Sequence, residues 1–210
     1  MTRIERIEAS RHKRGRVLVF LDGGELLKIT EQELLDFGLR KGDELEEETL
    51  ARLKKAAGVS DVKATAADII GKRAMSRATL ERKLREKGAG EAEARYAGEW
   101  LEAIGAIDDA AYAAALVRHC AAKGYGPAKV REKLYEKGVP RDLWEEALEE
   151  LPDNEELIEQ FLAAKLKGRM PDEKEKKRLI DALCRRGFSW GEVKRVFGRV
   201  LDTYFEDFED

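Results

Sequence analysis

The stretch TLERKLREKG, residues 79–88, returns as KVREKLYEKG at 129–138 and again, more loosely, as RLIDALCRRG at 178–187. Each copy has an apolar residue at its second and sixth positions: Leu80 and Leu84, Val130 and Leu134, Leu179 and Leu183. Each closes on a glycine, Gly88, Gly138 or Gly187. An interval of four places both apolar residues on one face of a helix. A glycine just past the last turn takes the left-handed C-cap conformation that only glycine adopts without steric cost. The copies lie 50 and then 49 residues apart, so each is the middle of a larger unit in a tandem array.

The flanks align as well. After each glycine come Ala94, Ala97 and Leu101, then Trp144, Ala147 and Leu151, then Val193, Val196 and Val200, all at helical spacing. These predict a closing helix per unit, with Trp100 and Trp144 assigned to packing between helices. Upstream, DVKATAADIIGKRA, DDAAYAAALVRHCAAKG and NEELIEQFLAAKLKG predict the opening helices. Ser76 is an N-cap candidate for the first middle helix, and Pro127 and Pro171 suit the first turn of the second and third. Ser189 with Glu192 reads as a capping box on the last closing helix. Residues 1–58 differ: IERIEAS and RVLVFLDGGELLKIT predict strands, with Asp22-Gly23-Gly24 as a hairpin turn. Thr30 and Glu33 form a capping box on a short helix, and EETLARLKKAAG predicts another that ends near Gly58.

The expected fold class is therefore mainly α: an elongated tandem array of three three-helix repeats, preceded by a small β-hairpin-plus-helix module. The expected boundaries are 1–58 for that module and 59–107, 108–151 and 152–210 for the repeats, the last with an acidic end in LDTYFEDFED. Its aromatics keep helical spacing and read as core, and its acids as a solvated end.

Forty per cent of the 210 residues are charged, against about a quarter in an ordinary domain. No apolar run approaches the length of a bilayer span and the first residues lack a signal-peptide pattern, so the expectation is a cytoplasmic protein without membrane contact. Cys120 and Cys184 have no metal-type spacing and read as small apolar residues. His12 and His119 belong to no catalytic pattern, and no phosphate loop, HExxH or GxSxG occurs. Asp108-Asp109, at a helix start, read as a cap and a favourable first-turn charge rather than as paired catalytic carboxylates. The chain reads as neither an enzyme nor a binder of cofactor or metal.

A net charge of -3 gives no global attraction to nucleic acid, but the charge is segregated. Lys72 to Lys87 holds seven basic residues against two acids, and so does Arg118 to Arg141; residues 142–160 hold nine acids and no Lys or Arg. Lys87, Lys137 and Arg186, each one residue before a cap glycine, are favoured there by the helix dipole whatever the function. Lys83 and Lys133, one turn earlier, repeat in register and point to a shared surface for an anionic ligand, either DNA or an acidic protein groove. A helical DNA-binding module remains the rival reading.

Arg73-Ala74-Met75-Ser76 leading into Leu80, Leu84 and Lys87-Gly88 forms one motif, and Ile104 to Asp109 with Tyr112-Ala113 a second. With Gly126 leading into Val130, Leu134 and Lys137-Gly138-Val139, they resemble the RecX family of bacterial recombination regulators over about residues 68–151. The resemblance implies a monomer that binds the RecA filament on single-stranded DNA, with direct DNA contact in some members, and restrains recombinase, ATPase and co-protease activity in the SOS response. The partner-binding residues implied are Arg73, Arg77, Arg82, Lys83, Lys87, Lys129, Lys133, Lys137, Arg185 and Arg186.

Overall fold

The computed structural model describes residues 1–206, with side chains placed through Asp202. The aromatic and acidic side chains of the tail from Tyr204 to Asp210 lie outside those described. The chain divides into two compact units, one of residues 1–74 and 80–107, the other of residues 75–79 together with Asp108 onward.

The first unit opens with strands β1 (Thr2–Ala9), β2 (Arg16–Leu21), β3 (Leu26–Thr30) and β4 (Glu44–Leu45), arranged antiparallel in the order β3-β2-β1-β4. The Asp22-Gly23-Gly24 turn joins β2 to β3 as expected, Gly23 and Gly24 taking φ of 79° and 85°. The strand expected from IERIEAS is β1, which pairs with β2, and β4 is a short strand beyond that expectation. Alternation sends Val17, Val19 and Leu21 of β2 and Leu27 and Ile29 of β3 into one core with Ile4, Leu45 and Leu53. Helix α1 (Glu31–Asp36) starts on the Thr30/Glu33 capping box, with Thr30 Oγ1 accepting from Glu33 N at 3.0 Å and Glu33 Oε2 accepting from Thr30 N at 2.7 Å.

Helix α2 (Glu47–Lys72) corrects the expectation of two helices separated at Gly58: one helix runs through that position. Interior glycine costs about 1 kcal/mol relative to alanine. Here it admits a neighbour, since a Cβ on Gly58 would lie 3.2 Å from Glu93 Oε1. α2 packs against β3 and against α4 (Glu91–Ala103), so its second half is the opening helix of the first repeat. Between them runs the middle helix α3 (Arg77–Glu86), with Leu80 and Leu84 buried as the repeated pattern requires.

The second unit holds two further three-helix groups. α5 (Asp109–Ala122), α6 (Pro127–Glu136) and α7 (Trp144–Leu148) enclose Ala113, Val117, Cys120, Val130, Leu134 and Ala147. Pro127 occupies the first turn of α6, as expected. The second closing helix is only a 3-10 turn, Arg141–Leu143, followed by five residues of α7. No side chain caps its start, and Pro152 disfavours helix at the residue before it. Trp144 keeps its packing role and donates from Nε1 to Val139 O at 3.0 Å. α8 (Asn154–Leu166), α9 (Glu173–Arg185) and α10 (Trp190–Glu206) enclose Ile158, Leu162, Leu183, Val193, Val196 and Phe197.

Pro171 does not begin α9. Asp172 is the N-cap, its Oδ1 accepting from Glu175 N at 2.6 Å, because a short acceptor side chain satisfies a free amide that proline cannot. The Ser189/Glu192 box on α10 is present, and Asn154 Nδ2 donates to Glu192 Oε1 at 3.0 Å, tying the start of α10 to that of α8. The fold is mainly α, with three three-helix repeats after a small strand module.

Candidate functional site

The three cap glycines of the opening motif have φ of 94°, 64° and 95° at Gly88, Gly138 and Gly187, so the middle helices end as the sequence requires. Within the second unit, what meets those ends is a joint seen twice. Lys137, the C-cap of α6, presents its carbonyl to two hydroxyls at the start of α3, those of Ser76 and Thr79. Forty-nine residues later, Arg186, the C-cap of α9, presents its carbonyl to Gly126 N at 2.8 Å, and Gly187 O accepts from Ala128 N at 3.2 Å, at the start of α6. In both joints the end of one repeat's middle helix closes onto the start of the preceding repeat's. Orphan carbonyls of one helix are satisfied by a neighbour's terminus.

This arrangement gives several predicted residues a position. Ser76 caps α3, as expected, with its Oγ accepting from Thr79 N at 3.2 Å. Asp108 caps α5 by accepting from Ala111 N at 2.8 Å. Asp109 was read as first-turn charge only; it is buried and accepts from Arg77 N at 2.8 Å, satisfying the first amide of α3. Tyr112 and Ala113 line the core beside it. The joints bring Arg77 and Lys137 together at one place and Lys129 and Arg186 at the other.

The cations fall into three states. Lys83, Lys87, Arg73 and Arg185 are exposed and form no ion pair among the described residues. Arg82 is exposed, with Glu86 at 3.8 Å. Lys129 and Lys133 of α6 are held by acids one turn on: Lys129 Nζ to Glu132 at 2.6 Å and Lys133 Nζ to Glu136 at 2.6 Å. The hydrogen bond with Glu136 raises the Lys133 pKa and lowers that of Glu136.

Arg186 is engaged in the joint itself. Its Nη1 donates to Lys123 O at 2.6 Å and Gly124 O at 3.2 Å, and its guanidinium lies 5.0 Å from the Phe161 ring centre. Its different behaviour from Lys137 had a sequence signal: only the third copy carries arginine before the glycine, and arginine's planar fork suits carbonyl pairs and rings. The acidic run 142–160 is also partly spent internally, with Glu145 on Arg131, Glu150 on Arg118, Glu155 on Arg195 and Arg199, and Glu159 on Arg199. Among the described residues no group of His, Cys, Asp and Glu is arranged to hold a metal ion, and no helix is long and apolar enough to cross a membrane.

Comparison with known proteins agrees with this anatomy. Residues 108–148 match the family model for the second three-helix domain of RecX, and residues 153–197 the model for its third. A regulatory protein RecX of Pseudomonas putida is 32% identical over 146 residues, 68% of this chain and 94% of the relative. One from Limosilactobacillus reuteri is 29% identical over 206 residues, 96% of this chain and 78% of the relative. A crystal structure of a regulatory protein RecX superposes with a TM-score of 0.71 at 26% identity, covering 94% of this chain and all of that one. That of RecX from Lactobacillus salivarius shares the fold, with a TM-score of 0.59 at 23% identity over 69% of this chain. Identity of 32% across nearly a whole relative, with two three-helix domains of the family matched, means that this chain belongs to the RecX family.

Proposed function

We propose that this protein binds the RecA nucleoprotein filament on single-stranded DNA and restrains its recombinase, ATPase and co-protease activities, acting in the cytoplasm as a monomeric regulator rather than as an enzyme. The observation that supports it best is the repetition of cations at matched positions: exposed Lys83 on α3 and Lys87 just past its end, half-buried Lys133 on α6 and Lys137 at its C-cap. A filament presents the same acidic or phosphate surface at regular intervals. Repeated cations engage several copies of it, and each added contact is made at high effective concentration. The Lys129 and Lys133 pairs with Glu132 and Glu136 are half-exposed contacts of the weak kind, which a denser anionic partner displaces at small cost. Simultaneous contact with neighbouring subunits opposes the rearrangements of an ATPase cycle.

The test is RecA ATPase on single-stranded DNA titrated with this protein. Replacing Lys83, Lys87, Lys133 and Lys137 together by Glu raises the concentration for half-inhibition by about an order of magnitude or more, with the far-UV circular dichroism unchanged. Full inhibition by the quadruple variant refutes this site. Tight, sequence-selective binding to short duplex DNA in the absence of RecA would instead support a helical DNA-binding module.

A further inference from the structure

The strand module carries a surface that the proposed filament contact does not use. The loop from β1 to β2 reads Arg11-His12-Lys13-Arg14-Gly15 and runs into Arg16: four Lys and Arg and no acid, in a chain of net charge -3. The loop is held in shape. Ser10 Oγ accepts from His12 N at 3.4 Å and from Lys13 N at 3.3 Å, and Gly15 turns the chain with φ of 75°. Arg16 is spent on the fold: it is 8% exposed and donates to Ser60 Oγ at 2.9 Å and Ser60 O at 2.8 Å. Arg11 and Arg14 are left facing water, as is Lys13, whose Nζ lies 3.9 Å from Asp61 in a loose exposed pair, and Lys28 of β3 is also exposed. Beside them opens a groove of about 280 Å³ lined by His12, Lys13, Leu18, Leu26 and Lys28, with Asp61 its one acid.

The outer face of the sheet continues this surface. By register, Arg6 lies opposite Phe20 and Phe20 opposite Leu26; in the next row Glu8 lies opposite Leu18 and Leu18 opposite Lys28. The Arg6 guanidinium stacks 3.9 Å from the centre of the Phe20 ring, and Leu26 is 41% exposed. Arginine planes and aromatic rings flanked by cations are what unpaired bases stack on while their phosphates are held. A duplex, whose bases are already stacked, has no use for the apolar part.

We propose that this face binds single-stranded nucleic acid, with Arg11, Lys13, Arg14 and Lys28 on the phosphates and a base laid on the Arg6–Phe20 platform. The site is separate from the middle helices and does not depend on contact with RecA.

The experiment is fluorescence anisotropy of a labelled oligothymidylate with the full-length protein and no RecA. Wild type binds, and log affinity falls with log salt with a slope of about -2 to -3, as expected for three or four phosphates on a single strand. Arg11→Glu, Lys13→Glu and Arg14→Glu together weaken binding by at least about tenfold, with an unchanged thermal midpoint because the loop is exposed. Phe20→Leu, which keeps apolar volume but removes the ring, costs roughly tenfold with the salt slope intact. The Lys83, Lys87, Lys133 and Lys137 reversal binds as wild type does. The proposal is overturned if the loop variant retains wild-type affinity, or if the middle-helix reversal abolishes binding instead. It is equally overturned if a duplex of the same length binds as tightly as the single strand, or if polyglutamate competes as well as unlabelled oligothymidylate, which would make the partner an acidic peptide.

Discussion

Gly88, Gly138 and Gly187 occupy one position of the repeat and share a positive φ, yet alanine at the three should cost very different amounts. At Gly88 a Cβ would meet nothing within 4 Å, so the penalty is backbone strain alone, about 1 to 2 kcal/mol. At Gly138 the Cβ would stand 3.2 Å from Ala78 Cβ and 3.3 Å from Ser76 Oγ, and small shifts of those side chains add about 1 kcal/mol. At Gly187 it would stand 2.7 Å from Lys129 Cβ and closer still to Lys129 N, on the helix backbone, which cannot step aside. The end of α9 must then withdraw from α6. That breaks the bonds from Gly126 N to Arg186 O and from Ala128 N to Gly187 O, at about 1 kcal/mol each, and leaves the amide of buried Gly126 unpaired at about 1 to 3 kcal/mol more. With the strain included, Gly187→Ala costs about 4 to 7 kcal/mol, comparable to the whole stability of a small domain. Native-state hydrogen exchange reads the joint directly, at the amides of Gly126 and Ala128. Gly187→Ala should strip their protection, whereas Gly88→Ala and Gly138→Ala leave it in place. Wild-type protection at both amides in Gly187→Ala, or equal loss of melting temperature in all three variants, would show that the joint is not tight and refute the reasoning.

Two further outcomes follow from single side chains. Arg186→Lys keeps the charge but loses the planar guanidinium whose Nη1 donates to both carbonyls while its face lies over Phe161, so it should lower stability by about 1 to 3 kcal/mol; an unchanged melting temperature would return Arg186 to the free cations. Glu192 is held below the usual glutamate pKa chiefly by the Ser189 hydroxyl, against the opposing effect of burial, with Asn154 adding to the lowering. A depressed folded pKa contributes stability that is present above the ordinary glutamate range and lost as pH falls through the folded value. Glu192→Gln should therefore melt below wild type at neutral pH, and the gap should close as the pH is lowered below about 4; a gap of constant size down to about pH 3 would contradict this assignment.

What the sequence disclosed and what it hid differ in kind. The apolar pairs Leu80/Leu84, Val130/Leu134 and Leu179/Leu183 and the cap glycines were legible because helical spacing and left-handed caps are local properties, written within ten residues. The boundary at Gly58 was misread because a glycine inside a helix looks the same on paper as one that ends it; what decides is the approach of Glu93, 35 residues away. Asp109 and Arg186 were read as local helix-end charges for the same reason. Their partners, Arg77 N and the carbonyls of Lys123 and Gly124, lie 32 and more than 60 residues away. The candidate cations were found as residue types, but neither the pairing of Lys129 and Lys133 with Glu132 and Glu136 nor the use of the acidic run by Arg118, Arg131, Arg195 and Arg199 could be assigned from spacing alone.

The joints also decide how the cationic positions can vary. In the second unit the distance from the end of one middle helix to the start of the preceding one is set mainly by main-chain carbonyls: Lys137 O accepts from the Ser76 and Thr79 hydroxyls, Arg186 O from Gly126 N, and Gly187 O from Ala128 N. Bonds to a main-chain carbonyl are indifferent to the side chain at the capping position. Lys137 can therefore change its charge without altering its joint with Ser76 and Thr79, whereas Arg186, whose side chain also serves its joint, cannot. The converse holds for Gly187, whose replacement moves the repeats apart without touching any charge. If repeated contact along a filament is the mode of action, both classes of change must reduce inhibition, but by different routes. Charge removal weakens each contact and leaves its salt dependence shallower. Loosening of the joint leaves each contact intact and removes the gain from making several at once, which falls away when the second site no longer stands where the first one holds it.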